Sequence, residues 1–319
     1  MTHSSPIPAD EVALDDFEAL SLDGADAIAF VQAQCAGDIA QLATGHWQWS
    51  CWLNPQGRVI ALLLVLRTAD QRLLLLLPGR RADELAQGLR RFVFRAKVVI
   101  GTERPSVSGG FGALSDEPPA AAGVITAHAD ALLVQLGGAQ GRHLRIGGVP
   151  AAADATQRER WRAADVLDGT PWIVEAGIER WIPQALALDR LQAFSVRKGC
   201  YPGQEIVART HYLGRNKRAL WLGRFNAGDL RPGVGARLLA AAPAANGDDV
   251  RDGSAEAAAE VVADAVWDGK AHVLVVAREH CPAVLRSSVG NTMIELVRNL
   301  SVGSTPHAAA QSPAAAPDL

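Results

Sequence analysis

Lys198-Gly199-Cys200-Tyr201-Pro202-Gly203-Gln204-Glu205 is the stretch from which the rest of this 319-residue chain can be read. Gly199 and Gly203 bracket Pro202, so the backbone turns sharply here. Pro202 suits a first helical position and Glu205 a first helical turn, and apolar Ile206, Val207 and Ala208 follow. The pattern predicts a helix starting at Pro202. Cys200 then lies just ahead of a helix N-terminus, with Arg197 and Lys198 beside it, and both influences favour a thiolate. The same residues also fit a tight loop whose cysteine is incidental.

The longer run from Phe194 to Arg209 resembles the signature of the YgfZ family, as do Ile182-Pro183-Gln184 upstream and Asn216-Lys217-Arg218-Ala219-Leu220-Trp221 downstream. These are folate-binding proteins linked to iron–sulfur cluster assembly and tRNA modification, and they are relatives of the glycine-cleavage T protein, an aminomethyltransferase. The resemblance is strongest over 161–225, traceable over 14–100 and architectural over 226–300. It implies an α+β fold, with a T-protein-like folate-binding body over 1–215 and a small C-terminal β-barrel over 216–300; the composition of 301–319, rich in Ala, Pro and Ser, predicts a disordered tail.

The local patterns fit that outline. Residues 1–12 read as a loose lead-in, and Gly24-Ala25-Asp26 opens a helix. Trp47–Cys51 alternates as a strand, Asn54–Gly57 is a turn, and Val59–Leu66 with Leu73–Leu77 predicts a hairpin. Arg80–Phe92 reads as an amphipathic helix with Leu85, Leu89 and Phe92 on one face. Lys97–Ile100 is a strand, and residues 104–123, rich in Gly, Pro and Ser, are expected to loop out. Leu132–Leu136 and His143–Ile146 form a strand pair, and Ala151–Leu167 is a helix. From Arg218 the pattern is all-β, with Asp268-Gly269 as a hairpin turn, a low-complexity insert over 240–259 and a last strand at Met293–Val297.

Composition narrows the function classes. A net charge of −3 argues against a general polyanion binder. The four cysteines, Cys35, Cys51, Cys200 and Cys281, form no Cys-x-x-Cys pair, so neither a zinc site nor a cluster held by this chain alone is expected. Cys35, Cys51 and Cys281 lie in apolar surroundings and read as core residues. No apolar run reaches the ~20 residues that span a bilayer. The acidic start carries neither a secretory signal nor a mitochondrial presequence, so a cytoplasmic chain is expected.

A folate site needs an acid or amide for the pterin edge, aromatic surfaces for the rings and cations for the tail. The resemblance assigns these to Glu175, in a Glu-Ala-Gly triplet, to Phe17 and Trp161, where the family carries two tryptophans, and to Arg218. Each also has an ordinary reading: a solvated acid, core aromatics, and one cation of the basic run Arg209, His211, Arg215, Lys217 and Arg218. The T protein's catalytic aspartate falls where this chain has Ala61-Leu62, and neither residue can move a proton, so no aminomethyl transfer is expected. Where the family often has Asn-Leu, this chain has Ala187-Leu188, and a polar contact is expected to be lost. The resemblance implies tetrahydrofolate or a derivative as ligand, no stably bound metal, and iron–sulfur assembly or client proteins as partners of a monomeric accessory protein, with Cys200 as the working thiol and Lys198, Gly199, Tyr201, Gly203, Gln204 and Glu205 as its frame. A folate-dependent one-carbon transferase and a tRNA-binding module remain the alternatives.

Overall fold

The computed structural model describes residues 11–112, 120–214, 216–241 and 257–301. The body contains β1 (Val12–Ala13), β2 (Glu18–Asp23), α1 (Ala27–Gln34), β3 (His46–Leu53), β4 (Val59–Ala69), β5 (Arg72–Leu77) and α2 (Ala82–Arg90). It continues with β6 (Val99–Glu103), β7 (Val107–Gly110), β8 (Ala122–His128), β9 (Ala131–Gly137), β10 (Arg142–Gly147) and α3 (Ala155–Asp168). Two short 3-10 turns, Glu175–Gly177 and Pro183–Leu186, lead to α4 (Gln204–Tyr212). The remaining strands are β11 (Arg218–Phe225), β12 (Arg237–Ala240), β13 (Ala259–Trp267), β14 (Lys270–Arg278), β15 (Val284–Ser287) and β16 (Met293–Asn299).

The body strands join in one ten-stranded sheet, ordered β1-β7-β10-β9-β8-β3-β4-β5-β2-β6. The apolar run in β4 shows why. Ala61, Leu63 and Val65 face one core with Leu73, Leu75 and Leu77 of β5, under α1 and α2. Leu62, Leu64 and Leu66 face the other, with Leu74 and Leu76, under α3 and the 181–193 segment. A strand without polar alternation is covered on both sides, and here both covers are present. Each fully buried leucine contributes about 1.5–3 kcal/mol.

β11 to β16 close into a barrel, ordered β11-β14-β13-β12-β15-β16, with β16 returning to β11. Leu238, Val273, Val275, Leu285 and Ile294 fill its interior. The Asp268-Gly269 turn has both residues at positive φ, 51° and 67°, as a tight hairpin requires. The barrel is fastened to the body by α3. Asp154 caps that helix by accepting from the Thr156 and Gln157 amides, and Gly169 ends it at φ 69°. On its outer face Glu159 accepts from the Val266 amide of β13 and from Arg231.

Several expectations are corrected. Residues 104–123 contain β7 and the start of β8 rather than one loop. The β7 glycines are there for close packing. A Cβ on Gly109 would stand 2.5 Å from the Trp161 ring, and one on Gly110 2.3 Å from His143. Phe92 lies beyond the end of α2 and is 42% exposed. The helix after the signature starts at Gln204, with Gly203 before it at φ 78°, so Pro202 belongs to the turn. Residues 1–10 of the lead-in, 113–119, Arg215, 242–256 of the insert and 302–319 of the tail lie outside the described residues.

Candidate functional site

Phe17 and Trp161, far apart in sequence, line one cavity of about 340 Å³ between the body and the barrel. Trp172 lines it too, edge-on to Phe17 with ring centroids 5.5 Å apart and 5.1 Å from Trp49 behind it. Trp161 is 3% exposed, although its helix reads as polar, because α3 turns that face inward against Phe111. Among the described residues the indole N–H groups of Trp161 and Trp172 are both buried without a hydrogen-bond partner. A buried unpaired donor costs about 1–3 kcal/mol.

The inner wall is charged. Arg142 of β10 stacks over Trp161 at 4.8 Å and donates to Asp165 Oδ1 at 2.6 Å and to Asp168 Oδ2 at 2.8 Å and 3.1 Å. Burial pushes the Asp165 carboxyl up from its ordinary value, against the pull of Arg142. Arg142 is held charged by the two aspartates in spite of its burial. Asp165 lines the cavity, and Asp264 of β13 does so from the barrel side, paired with Arg231. Sequence reasoning missed Asp165 and Trp172. The usable signal was two acids three residues apart, Asp165 and Asp168, on an otherwise apolar helical face.

Glu175 and Arg218 are not among the residues lining this cavity. Glu175 is exposed, at the start of a 3-10 turn that follows the cavity residue Val174. The same turn meets the barrel, where a Cβ on Gly235 would stand 2.9 Å from that of Ala176. Arg218 stacks on Trp181 at 5.1 Å, and among the described residues it has no carboxylate within ion-pair distance. Burial, then the like charges of Arg278, Arg58 and Arg180, hold it below its ordinary value against the pull of Glu260. Arg218 opens instead onto a groove of about 860 Å³ shared with Lys217, Arg278, His280 and Cys281.

The signature forms a braced loop. Ser195 Oγ accepts from the amides of Arg197 and Lys198, Tyr201 donates its hydroxyl to the Ser195 carbonyl, and Gln204 donates to the Lys198 carbonyl. Gly203 packs on the Asn54–Gly57 turn, and a Cβ there would stand 2.5 Å from the Asn54 carbonyl oxygen. Gln184 donates to the Val207 carbonyl and ties the Ile182-Pro183-Gln184 segment to α4. Ala187 is buried with φ 50°, a left-handed conformation in which asparagine is at ease and alanine is not. An Asn there is therefore suited by conformation, independently of any side-chain contact.

Lys198 corrects the thiolate argument. It turns inward, 8% exposed, and donates to the carbonyls of Gln32, Cys35 and Gly37 at 2.5, 2.5 and 2.8 Å. Burial brings the ammonium down to about 8, so it stays charged at neutral pH. Its charge serves the end of α1 instead of the Cys200 sulfur. Cys200 and Arg197 are exposed. Cys35 and Cys51 are fully buried, and burial pushes the Cys35 thiol up to about 12 and Cys51 higher still. Cys281 is half-buried in the basic groove instead of the core, and burial raises it as well.

Among the described residues no three His, Cys, Asp or Glu side chains group to hold a metal, and no helix is long and apolar enough to cross a membrane. Ala61 and Leu62, where the T protein has its catalytic acid, are buried in opposite faces of β4.

Comparison with known proteins gives this arrangement its relatives. Residues 12–153 match the GCVT N-terminal domain. The tRNA-modifying protein YgfZ of Sodalis glossinidius (strain morsitans) is 31% identical over 240 residues, covering 69% of this chain and 73% of the relative. The chain belongs to the YgfZ family. The Edwardsiella ictaluri (strain 93-146) member is 30% identical over 236 residues, covering 68% and 71%. The fold matches the crystal structure of glycine cleavage system aminomethyltransferase T from Bartonella henselae with a TM-score of 0.64 at 14% identity, over 91% of this chain and 85% of that one. The YgfZ signature is thus the braced loop, and the two aromatic positions the family resemblance ties to folate stand in one cavity.

Proposed function

We propose that this chain is a folate-binding accessory protein in tRNA modification, acting through iron–sulfur cluster assembly or repair, with Cys200 as its working thiol. The cavity carries the folate half of this reading. Phe17, Trp161 and Trp172 enclose a space within the usual range for small-molecule sites, and Asp165 with the rim arginines Arg158 and Arg162 supplies the few polar groups such sites need. The family's name supplies the link to tRNA modification. The cluster half rests on the resemblance and on Cys200, an exposed thiol on a rigid loop. Bound folate would present a one-carbon unit or a reduced ring. The residues of this chain enclose it, orient it and exclude water, and no acid stands at Ala61 or Leu62 to take a proton.

Titration with folinic acid, followed by tryptophan fluorescence, tests the ligand. Saturable quenching by wild type, lost in Trp161→Ala, is expected; wild-type protein that fails to bind sinks the reading. For the thiol, a deletion strain is complemented with Cys200→Ser, and cluster-enzyme activity and tRNA methylthiolation are measured. Full rescue removes Cys200 from the function.

The basic groove favours a second reading, direct contact with RNA phosphates through Lys217, Arg218 and Arg278. Salt-dependent binding of tRNA, weakened by Arg218→Gln, would support it.

A further inference from the structure

We infer that Asp165 and Arg162 fix the direction in which the cavity holds its ligand. Asp165 takes the paired N–H donors of a 2-amino-4-oxo pyrimidine ring at the inner end, and Arg162 takes an anionic tail at the rim. The inference rests on the folate reading and extends it to orientation and selectivity.

The inner end is defined by charge. Arg142, Asp165 and Asp168 are all buried, so a single guanidinium is shared by two carboxyl groups, of which Asp165 borders the cavity. A second carboxyl beside one buried guanidinium is stabilised by a partner rich in N–H donors. Asp168 is well occupied: its Oδ2 receives two Arg142 donors and its Oδ1 receives the Ala139 amide at 3.4 Å. Asp165 receives one, from Arg142 to Oδ1. The Trp172 indole N–H comes near Asp165 yet falls short of a hydrogen bond. A carboxylate has about four acceptor positions, so Asp165 keeps spare capacity on the cavity side. The ring amide and amino group of a pterin are adjacent donors, and a carboxylate accepts both at once.

The rim is defined by the arginines. Arg158 is committed to Asp15 at 2.8 Å and to the Ala13 carbonyl at 2.7 Å. Among the described residues Arg162 has only Glu159 Oε2, at 3.8 Å and so beyond hydrogen-bond distance, while Arg231 and the Val266 amide take the other oxygen of Glu159. Arg162 is also the more exposed, with 53% of its side chain accessible against 12% for Asp165. The cavity therefore runs from a buried acceptor to a solvent-facing cation. A molecule with donors at one end and carboxylates at the other fits in one direction only.

Four probes on the full-length chain test this by fluorescence titration: folinic acid, folic acid, its 2-desamino-2-methyl analogue, and 6-methylpterin, which carries no carboxylate. Wild type is expected to bind the desamino analogue about tenfold more weakly than folic acid of the same oxidation state, the loss of one charged hydrogen bond. Asp165→Asn should weaken folinic acid about tenfold and shrink the penalty on the analogue. Arg162→Gln should weaken folinic acid about two- to fivefold and leave 6-methylpterin unchanged. If Asp165→Asn does not fold, the analogue's penalty on wild type decides alone. Equal binding of folic acid and the desamino analogue overturns the inference. So does full affinity in Asp165→Asn while Trp161→Ala abolishes binding, and the folate reading then stands. Wild type that binds no folinic acid overturns both.

Discussion

Around the cavity, among the described residues, two indole N–H groups are unpaired and two buried carboxyls share one guanidinium. In the loop from Ser195 to Gln204, by contrast, hydroxyl, amide and ammonium groups bond to one another or to backbone carbonyls, and one thiol stands outside. The first region has polar capacity left over inside the molecule. The second has used its capacity to become stiff. A place built to hold a molecule keeps unmatched groups within it, and a place built to present one atom matches everything except that atom.

The sharpest way to break this comparison is Lys198→Met. Three carbonyls lose a charged donor, so unfolding stability should fall on the order of 3 kcal/mol in urea denaturation. Folinic acid affinity, measured well below the melting temperature, should stay within about twofold. A parallel loss of affinity would make loop and cavity one unit. Gly203→Ala comes next. Its positive φ and the Asn54 carbonyl 2.5 Å from the added Cβ should lower stability by about 2 kcal/mol, read by thermal unfolding. Ala187→Gly acts in the opposite direction. Relief of the left-handed alanine should raise stability by about 0.5–1 kcal/mol, and a decrease would show that the methyl group's packing outweighs the strain.

The smallest stability effect belongs to Cys200→Ser, a change within about 0.5 kcal/mol, because an exposed side chain is altered. Its chemical effect should be the largest. In competitive alkylation of native protein, read by mass spectrometry, Cys200 should react first, Cys281 later, and Cys35 and Cys51 only on unfolding. Early labelling of Cys281 would move the reactive thiol to the basic groove.

The elements legible in the sequence are those whose pattern is local. The β4–β5 hairpin, α2, the Asp268-Gly269 turn and the start of β11 all announce themselves within ten residues or so. Long-range packing hides the rest. The Val-Ser-Gly-Gly of β7 reads as a loop, yet its glycines are there because Trp161 and His143 lie against them. β2 carries an alternation, Leu20 and Leu22, that is too short to stand out, and it is buried between β5 and β6. At the site, Phe17 and Trp161 were reachable through the family pattern. Asp165, on α3, was not, since its partner Arg142 is on the separate strand β10. Lys198 reads as a neighbour of Cys200 because chain order hides direction: its acceptors lie at 32–37.

The cavity's position at the seam has one more consequence. Val262, Ala263 and Asp264 of the barrel close one side of it, and Phe17 and Trp161 of the body close the other. A molecule seated there has to leave before the two parts separate. At a free concentration a hundredfold above its Kd it adds about 2.7 kcal/mol to the work of unfolding, and the unfolded fraction falls about a hundredfold. Proteases act on that fraction, so a molecule seated at the seam would also slow proteolytic loss of the chain.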